Sequence, residues 1–182
     1  QPAGRLFGGA FSAQRVEVRT GARTIVLDKL AWQEARWTWR PHDGAWFGLV
    51  INGVSVERVQ IGAATSTSLA VEPKTLRQPF ALTISELRIG ELQYEAASPL
   101  RDIATRIELD RASVSGSVRI AADAPFALEA QLQATSIEGA PRPWQASAKA
   151  AGPLAAIAVT AQLSSPQAAG AQLDAQATVS PF

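Results

Sequence analysis

Apolar residues recur at every second position along much of this chain, and that spacing constrains its fold more than any other feature. The runs are Val16/Val18, Ile25/Leu27, Leu49/Ile51, Phe80/Leu82/Ile84, Ile107/Leu109, Val118/Ile120, Phe126/Leu128/Ala130/Leu132 and Ile157/Val159/Ala161/Leu163. Side chains that alternate this way share one face of an extended strand. Turn formers separate the runs: Asp43-Gly44, Asn52-Gly53, Gly116, Asp123-Ala124-Pro125, Gly139 with Pro141 and Pro143, Gly152-Pro153, and Pro166 to Gly170. LVINGVSV reads as a hairpin, because Asn52-Gly53 supplies the positive φ angles of a tight type I′ turn. PLRDIATRIEL is the best competing helix, but it is short and its second half rejoins the strand pattern. The alanines of the last third alternate with polar residues, so their period outweighs their helix propensity. The expectation is an all-β chain of roughly ten to thirteen short strands, each with one apolar face that needs cover.

One stretch breaks the rule. In LTISELRIGELQYEA, Leu82 and Ile84 are followed by Leu87 and Ile89, then by Leu92 and Tyr94. Val54, Val56, Val59 and Ile61 repeat the spacing. Two backbones produce such pairs every five residues. A strand with β-bulges resets its parity at each extra residue, so successive pairs face one side and the twist increases. A small parallel β-helix with five residues per face does so too, but it needs many coils and a small residue at the first inward site. The bulged strand is the better fit, and it implies a strongly twisted, curved sheet. Such a sheet either closes on itself, packs on a second sheet, or stays open as a gutter.

Composition narrows the function classes. The 182 residues are 47% apolar, enough for a packed fold, and the net charge of +1 argues against broad electrostatic binding of nucleic acid. Cysteine and methionine are absent from the sequence. No run approaches the roughly 20 apolar residues that span a bilayer. The opening Gln1-Pro2 and closing Pro181-Phe182 suggest a fragment of a longer chain, with any membrane anchor outside it. Residues 1–182 read as a single β-repeat region, with a change of texture near 121 into an Ala-rich part.

No constellation of catalytic residues stands out. His42, the single histidine, lies between Pro41 and Asp43 in a turn, and no GxSxG nucleophile motif accompanies it. Zinc needs more His or Cys ligands than the chain has. GRLFGG precedes a strand rather than a helix, so it is no phosphate loop. Glu86, Glu91 and Glu95 sit opposite the apolar pairs and read as a solvated face. The segment WQEARWTWRPHDGAW holds Trp32, Trp37, Trp39 and Trp46 with Arg36 and Arg40. Interleaved Trp and Arg stack on bases or sugars in some proteins. The favoured reading here is structural: the tryptophans plug one end of the sheet while the arginine stems cover its outside. The chain thus reads as a non-enzyme without cofactor or metal.

The run GRLFGGAFSAQRVEVRTGARTIVLDKLAWQEA, the Trp39-Arg40-Pro41 step and GLVINGVSVERVQIG resemble the N-terminal part of the TamB family, the AsmA-like component of the translocation and assembly module. LTISELRIGELQY, IELDRASVSGSVRI and AAGPLAAIAVTAQL are similar to that family's repeating strands. The resemblance implies a β-taco: an elongated, curved, antiparallel-rich sheet with an apolar concave face. It implies a periplasmic location, in a protein anchored to the inner membrane. The implied role is outer-membrane biogenesis, with phospholipid acyl chains carried between membranes and a β-barrel outer-membrane partner bound through parts of the chain not present here. The groove would be lined by Leu82, Ile84, Leu87, Ile89, Ile107, Leu109, Val118, Ile120, Phe126, Leu128, Leu132, Ile157, Val159 and Leu163. Two other readings stay open. One is a closed β-sandwich or short β-solenoid whose core these residues form and whose Trp–Arg cluster binds protein or carbohydrate. The other is an assembly module that offers open strand edges to outer-membrane strands during insertion.

Overall fold

In the computed structural model, the residues described are 2–4, 8–20, 23–39, 47–62, 80–94, 111–123, 126–140, 143–165 and 171–180. They form twelve strands of one twisted, mixed sheet that does not close into a barrel, and no helix occurs among them. The strands are β1 (Pro2–Gly4), β2 (Phe11–Thr20), β3 (Arg23–Trp32), β4 (Glu34–Trp39), β5 (Phe47–Asn52), β6 (Val54–Ile61), β7 (Ala81–Tyr94), β8 (Arg111–Ile120), β9 (Ala127–Ser136), β10 (Gln145–Pro153), β11 (Ile157–Ser165) and β12 (Ala171–Val179). Their order across the sheet is β1-β2-β3-β6-β7-β8-β9-β10-β11-β12, with β4 and β5 continuing β3 and β6 at one end.

The opening puzzle of β7 resolves into bulges. β7 is one 14-residue strand, and its pairing with β8 slips between Ile84 and Leu87 and again between Ile89 and Leu92. Each slip falls in the two-residue gap of the apolar pattern, so Leu82, Ile84, Leu87, Ile89 and Leu92 all face one side. The same gap runs through the neighbouring strands. β2 carries Phe11/Ala13 then Val16/Val18, β3 carries Ile25/Leu27 then Leu30/Trp32, and β6 carries Val54/Val56 then Val59/Ile61. Ladder pairing skips the intervening residues Gln14, Lys29, Glu57 and Gly90 in one row across four strands. Lys29 takes φ 52° there. From β8 onward the strands alternate plainly and pair without slips. The β7/β8 pair is therefore a seam between two kinds of strand.

Two expected turns are strands instead. Asn52-Gly53 does not close a hairpin between β5 and β6, because those strands lie end to end. Both run parallel to β7, with Gly48 opposite Ala81 and Val54 opposite Leu87. The hairpin that forms is longer: residues 25–39 pair with 47–61 in a single register, Trp39 opposite Phe47 and Ile25 opposite Ile61. Its many ladder bonds and apolar contacts outweigh the local preference of Asn-Gly for a tight turn. Gly53 keeps a positive φ of 62°, and the Gln33 side chain lies over it, 2.7 Å from where a Cβ would stand. Gly116 sits inside β8, not at its end. A Cβ there would run into the carbonyl oxygen of Gln131, so glycine lets β9 close on β8 opposite the first bulge. The turn at Asp123 does form, with Phe126 N–H donating to its carbonyl at 2.5 Å, and Ala156 N–H donates to Pro153 C=O in the β10–β11 turn. The Asp43-Gly44 and Pro166–Gly170 turns, and the PLRDIATRIEL segment, lie outside the described residues.

Candidate functional site

The registers place facing residues in rows that cross the sheet. One row runs Trp37–Leu49–Leu82–Ile120–Leu128–Gly152, which the β10–β11 register carries on to Ile157 and Val179, and the next Ala35–Ile51–Ile84–Val118–Ala130–Ala150–Val159–Ala177. Beyond the first bulge come Leu87–Gly116–Leu132–Ala148–Ala161 and Ile89–Val114–Ala134–Ala146–Leu163–Leu173. Every groove candidate within a described strand falls in these rows: Leu82, Ile84, Leu87, Ile89, Val118, Ile120, Leu128, Leu132, Ile157, Val159 and Leu163. Phe126 stands in the turn before β9 with φ 54°. Ile107, Leu109 and Trp46 lie outside the described residues, as does His42. Eight strands spaced about 4.8 Å apart make the first row an apolar track on the order of 30 Å long.

The face is neither sealed nor fully open. All twelve described candidates are half-buried, whereas the residues alternating with them in β9 (Ala127–Ser136) are exposed. No large side chain among the described residues is fully buried. A sandwich or closed barrel would seal these positions, and the described strands form one sheet, not two. The face is most covered at β5 and β6, where Leu49, Val54, Val56 and Val59 are buried. The groove set read from the sequence left these four out, although Val54, Val56 and Val59 carry the five-residue signature. Trp144 was also missed. It is only 7% exposed, and its indole N–H is buried without an acceptor, as is that of Trp32.

The tryptophans divide between two places. Trp37 packs edge-on against Phe80 with ring centroids 5.0 Å apart, and Trp39 against Phe47 at 5.3 Å, forming an aromatic end to the rows. Trp39 is 60% exposed there. Trp32 is elsewhere, stacked on Phe11 at 4.3 Å within the apolar face beside β2.

The opposite face is polar and changes character at the seam. Across β2 to β8 the residues beside the skipped row form an alternating ladder of charge. Arg15 meets Asp28 at 3.8 Å, Arg58 meets Glu91 at 3.0 Å, and Arg111 meets Glu91 at 2.6 Å, while Lys29 pairs with Glu57 alongside. Backbone register places Asp28 opposite Arg58, so signs alternate strand by strand. The Gln93 amide, then Arg111, and then Arg58 against some desolvation, lower the Glu91 carboxyl from 4.5 to about 2. Across β9 to β12 the polar face is mostly Gln, Thr and Ser with few charges. Shallow clefts open on this polar side. One of about 530 Å³ lies over small residues including Ala3, Ser12, Ala31 and Ser55, walled by Gln33, Glu86 and Arg88. Arg88 is ion-paired to Glu86.

Among the described residues no three His, Cys, Asp or Glu side chains gather as a metal site, and no helix is long and apolar enough to cross a membrane. The arrangement defines an open, single-sheet β-protein with one continuous apolar face. Neither the protein-family models, nor the curated proteins, nor the solved structures contain a match to this chain.

Proposed function

We propose that the apolar face shields and conducts lipid acyl chains between membranes, as a periplasmic segment of an outer-membrane biogenesis protein anchored to the inner membrane. The observation that carries this reading is the set of apolar rows that cross the sheet and stay half-buried with no second layer over them among the described residues. A large apolar face without a protein cover calls for an apolar partner. Each CH₂ seated on it contributes about 0.8 kcal/mol, so about ten of them would contribute on the order of 8 kcal/mol before the costs of ordering the chain. Such binding grows with contact length and requires no polar recognition, which suits passage of many lipid species. The rows run across the strands, so an acyl chain lies along a row and slides from strand to strand while its head group stays in water. No catalytic chemistry is required for that passage.

Native mass spectrometry of the purified chain, with organic extraction and lipid identification, tests the reading. Leu128 sits mid-row, half-buried between Ile120 and Gly152. Co-purifying phospholipid that is lost in a folded Leu128→Asp variant is the expected result. A protein that stays empty after incubation with phospholipid vesicles would rule the proposal out.

A further inference from the structure

The apolar face ends differently at its two extremes. At the aromatic end the last row runs Trp39–Phe47, which the β5–β7 register carries on to Phe80, and the row inside it starts at Trp37 and Leu49. Leu49 is 4% exposed, Trp37 46%, Phe47 48% and Trp39 60%, so cover falls away over two rows. The rings hold one another, Trp39 edge-on to Phe47 and Trp37 edge-on to Phe80. The fold therefore fixes these rings in one cluster and still leaves much of their surface in water, which is unfavourable unless a partner takes it. Among the described residues, no charged or hydrogen-bonding side chain other than the indoles stands in either row. The opposite end of the face runs Leu92–Ala112–Ser136. Trp144, bonded to Ser136 there, is only 7% exposed. One end hides its tryptophan, and the other presents two.

We infer that the aromatic end is a docking surface for a phospholipid membrane, whose interfacial layer takes the Trp37, Trp39 and Phe47 rings. Indole suits that layer, because its ring is apolar and its N–H bonds to water or to ester carbonyls. A specific protein partner would need polar groups to fix its register, since such interfaces carry about one hydrogen bond per 100–200 Å². The last two rows offer only the indoles. A fluid apolar layer needs nothing more, and its binding follows the apolar area buried rather than charge. The end is also continuous with the rows. The row that starts at Trp37 crosses β5, β7 and β8 through Leu49, Leu82 and Ile120, so a docked membrane sits against its open end. That acyl chains enter there rests on the reading of the rows given above, whereas docking stands on the rings and their place in the last two rows.

Co-sedimentation of the intact chain with phosphatidylcholine vesicles tests it, with circular dichroism to show that each variant folds. The expected result is binding that is equal at low and high salt. Trp39→Ala and Phe47→Ala each weaken it roughly three- to ten-fold. Leu173→Ser removes a 61% exposed side chain outside both rows and leaves binding unchanged. Trp39→Phe keeps most of the binding but lowers the quenching of tryptophan fluorescence by lipids brominated on their acyl chains. Leu132→Asp, further in along the face, disrupts the rows and leaves docking intact, so loss of co-purified lipid and loss of docking are separate results. No binding to vesicles overturns the proposal, and rings shielded from acrylamide in the vesicle-free chain would then point to a protein cover. Binding that salt abolishes, or that survives the combined Trp39→Ala and Phe47→Ala change, overturns it equally.

Discussion

Replacing Glu91 by Gln should remove a measurable share of the protein's acid sensitivity between pH 5 and pH 2. Glu91 accepts from Arg58 Nε at 3.0 Å, from Arg111 Nη2 at 2.6 Å and Nε at 3.0 Å, and from Gln93 Nε2 at 2.9 Å. Those donors lower its carboxyl from 4.5 to about 2. The folded value lies below the unfolded one, so the contribution is complete above the unfolded value and is lost as pH falls through the folded value. Such a difference corresponds to on the order of 3 kcal/mol. The ladder lies on the solvated face, where water screens the charges, and about 1 kcal/mol is the realistic share. With a urea slope of about 2–3 kcal/mol per molar, that share moves the unfolding midpoint by roughly 0.4 M between pH 5 and pH 2. Urea titrations of the parent and Glu91→Gln at several pH values across that range measure it. The parent should lose its margin over the variant as the pH drops. Parallel curves for the two proteins would refute the argument that Glu91 is the centre of the ladder.

Gly116→Ala should destabilise the fold by about 1–3 kcal/mol, because β9 must back away from β8 to free the Gln131 carbonyl; thermal unfolding measures it. Deleting Ser85 turns the Leu82–Ile89 part of β7 into plain alternation that suits β8 without its first bulge, but β5 and β6 then cannot both hold register with β7. The four-residue β5 pairing should be the one lost, at about 2–6 kcal/mol for four ladder bonds, and hydrogen exchange should show open amides at Leu49–Ile51 while β9 stays protected. Trp144→Phe removes a buried N–H that lacks an acceptor, and that gain offsets the lost volume, so the net change should stay within about 1 kcal/mol by chemical denaturation.

The bulges of β7 were legible because a parity reset leaves its mark in the chain itself: two polar residues where one is expected. The apolar rows were legible for the same reason, since alternation assigns each residue to a face before any partner is known. Pairing between distant strands leaves no such mark. Nothing local to LVINGVSV tells that both of its halves run parallel to β7, so Asn52-Gly53 read as a turn. Gly116 misled likewise, because its reason is the close approach of β9. An apolar face looks the same in the sequence whether a second sheet covers it or not, and only the half-buried state of Leu82 through Leu163 separates the two. Trp144 escaped notice as a lone aromatic between Pro143 and Gln145, outside any run.

The seam at β7/β8 sets different rules for change on its two sides. In β2, β3, β6 and β7 the extra residues line up in shared rows, so an insertion or loss in one strand must be matched in its neighbours. From β8 to β12 every strand is a plain alternating unit in unbroken register with the next. A hairpin added to or removed from that side leaves all remaining parities intact. One side of the protein is therefore a fixed template, and the other is a ruler whose length natural selection can adjust two strands at a time.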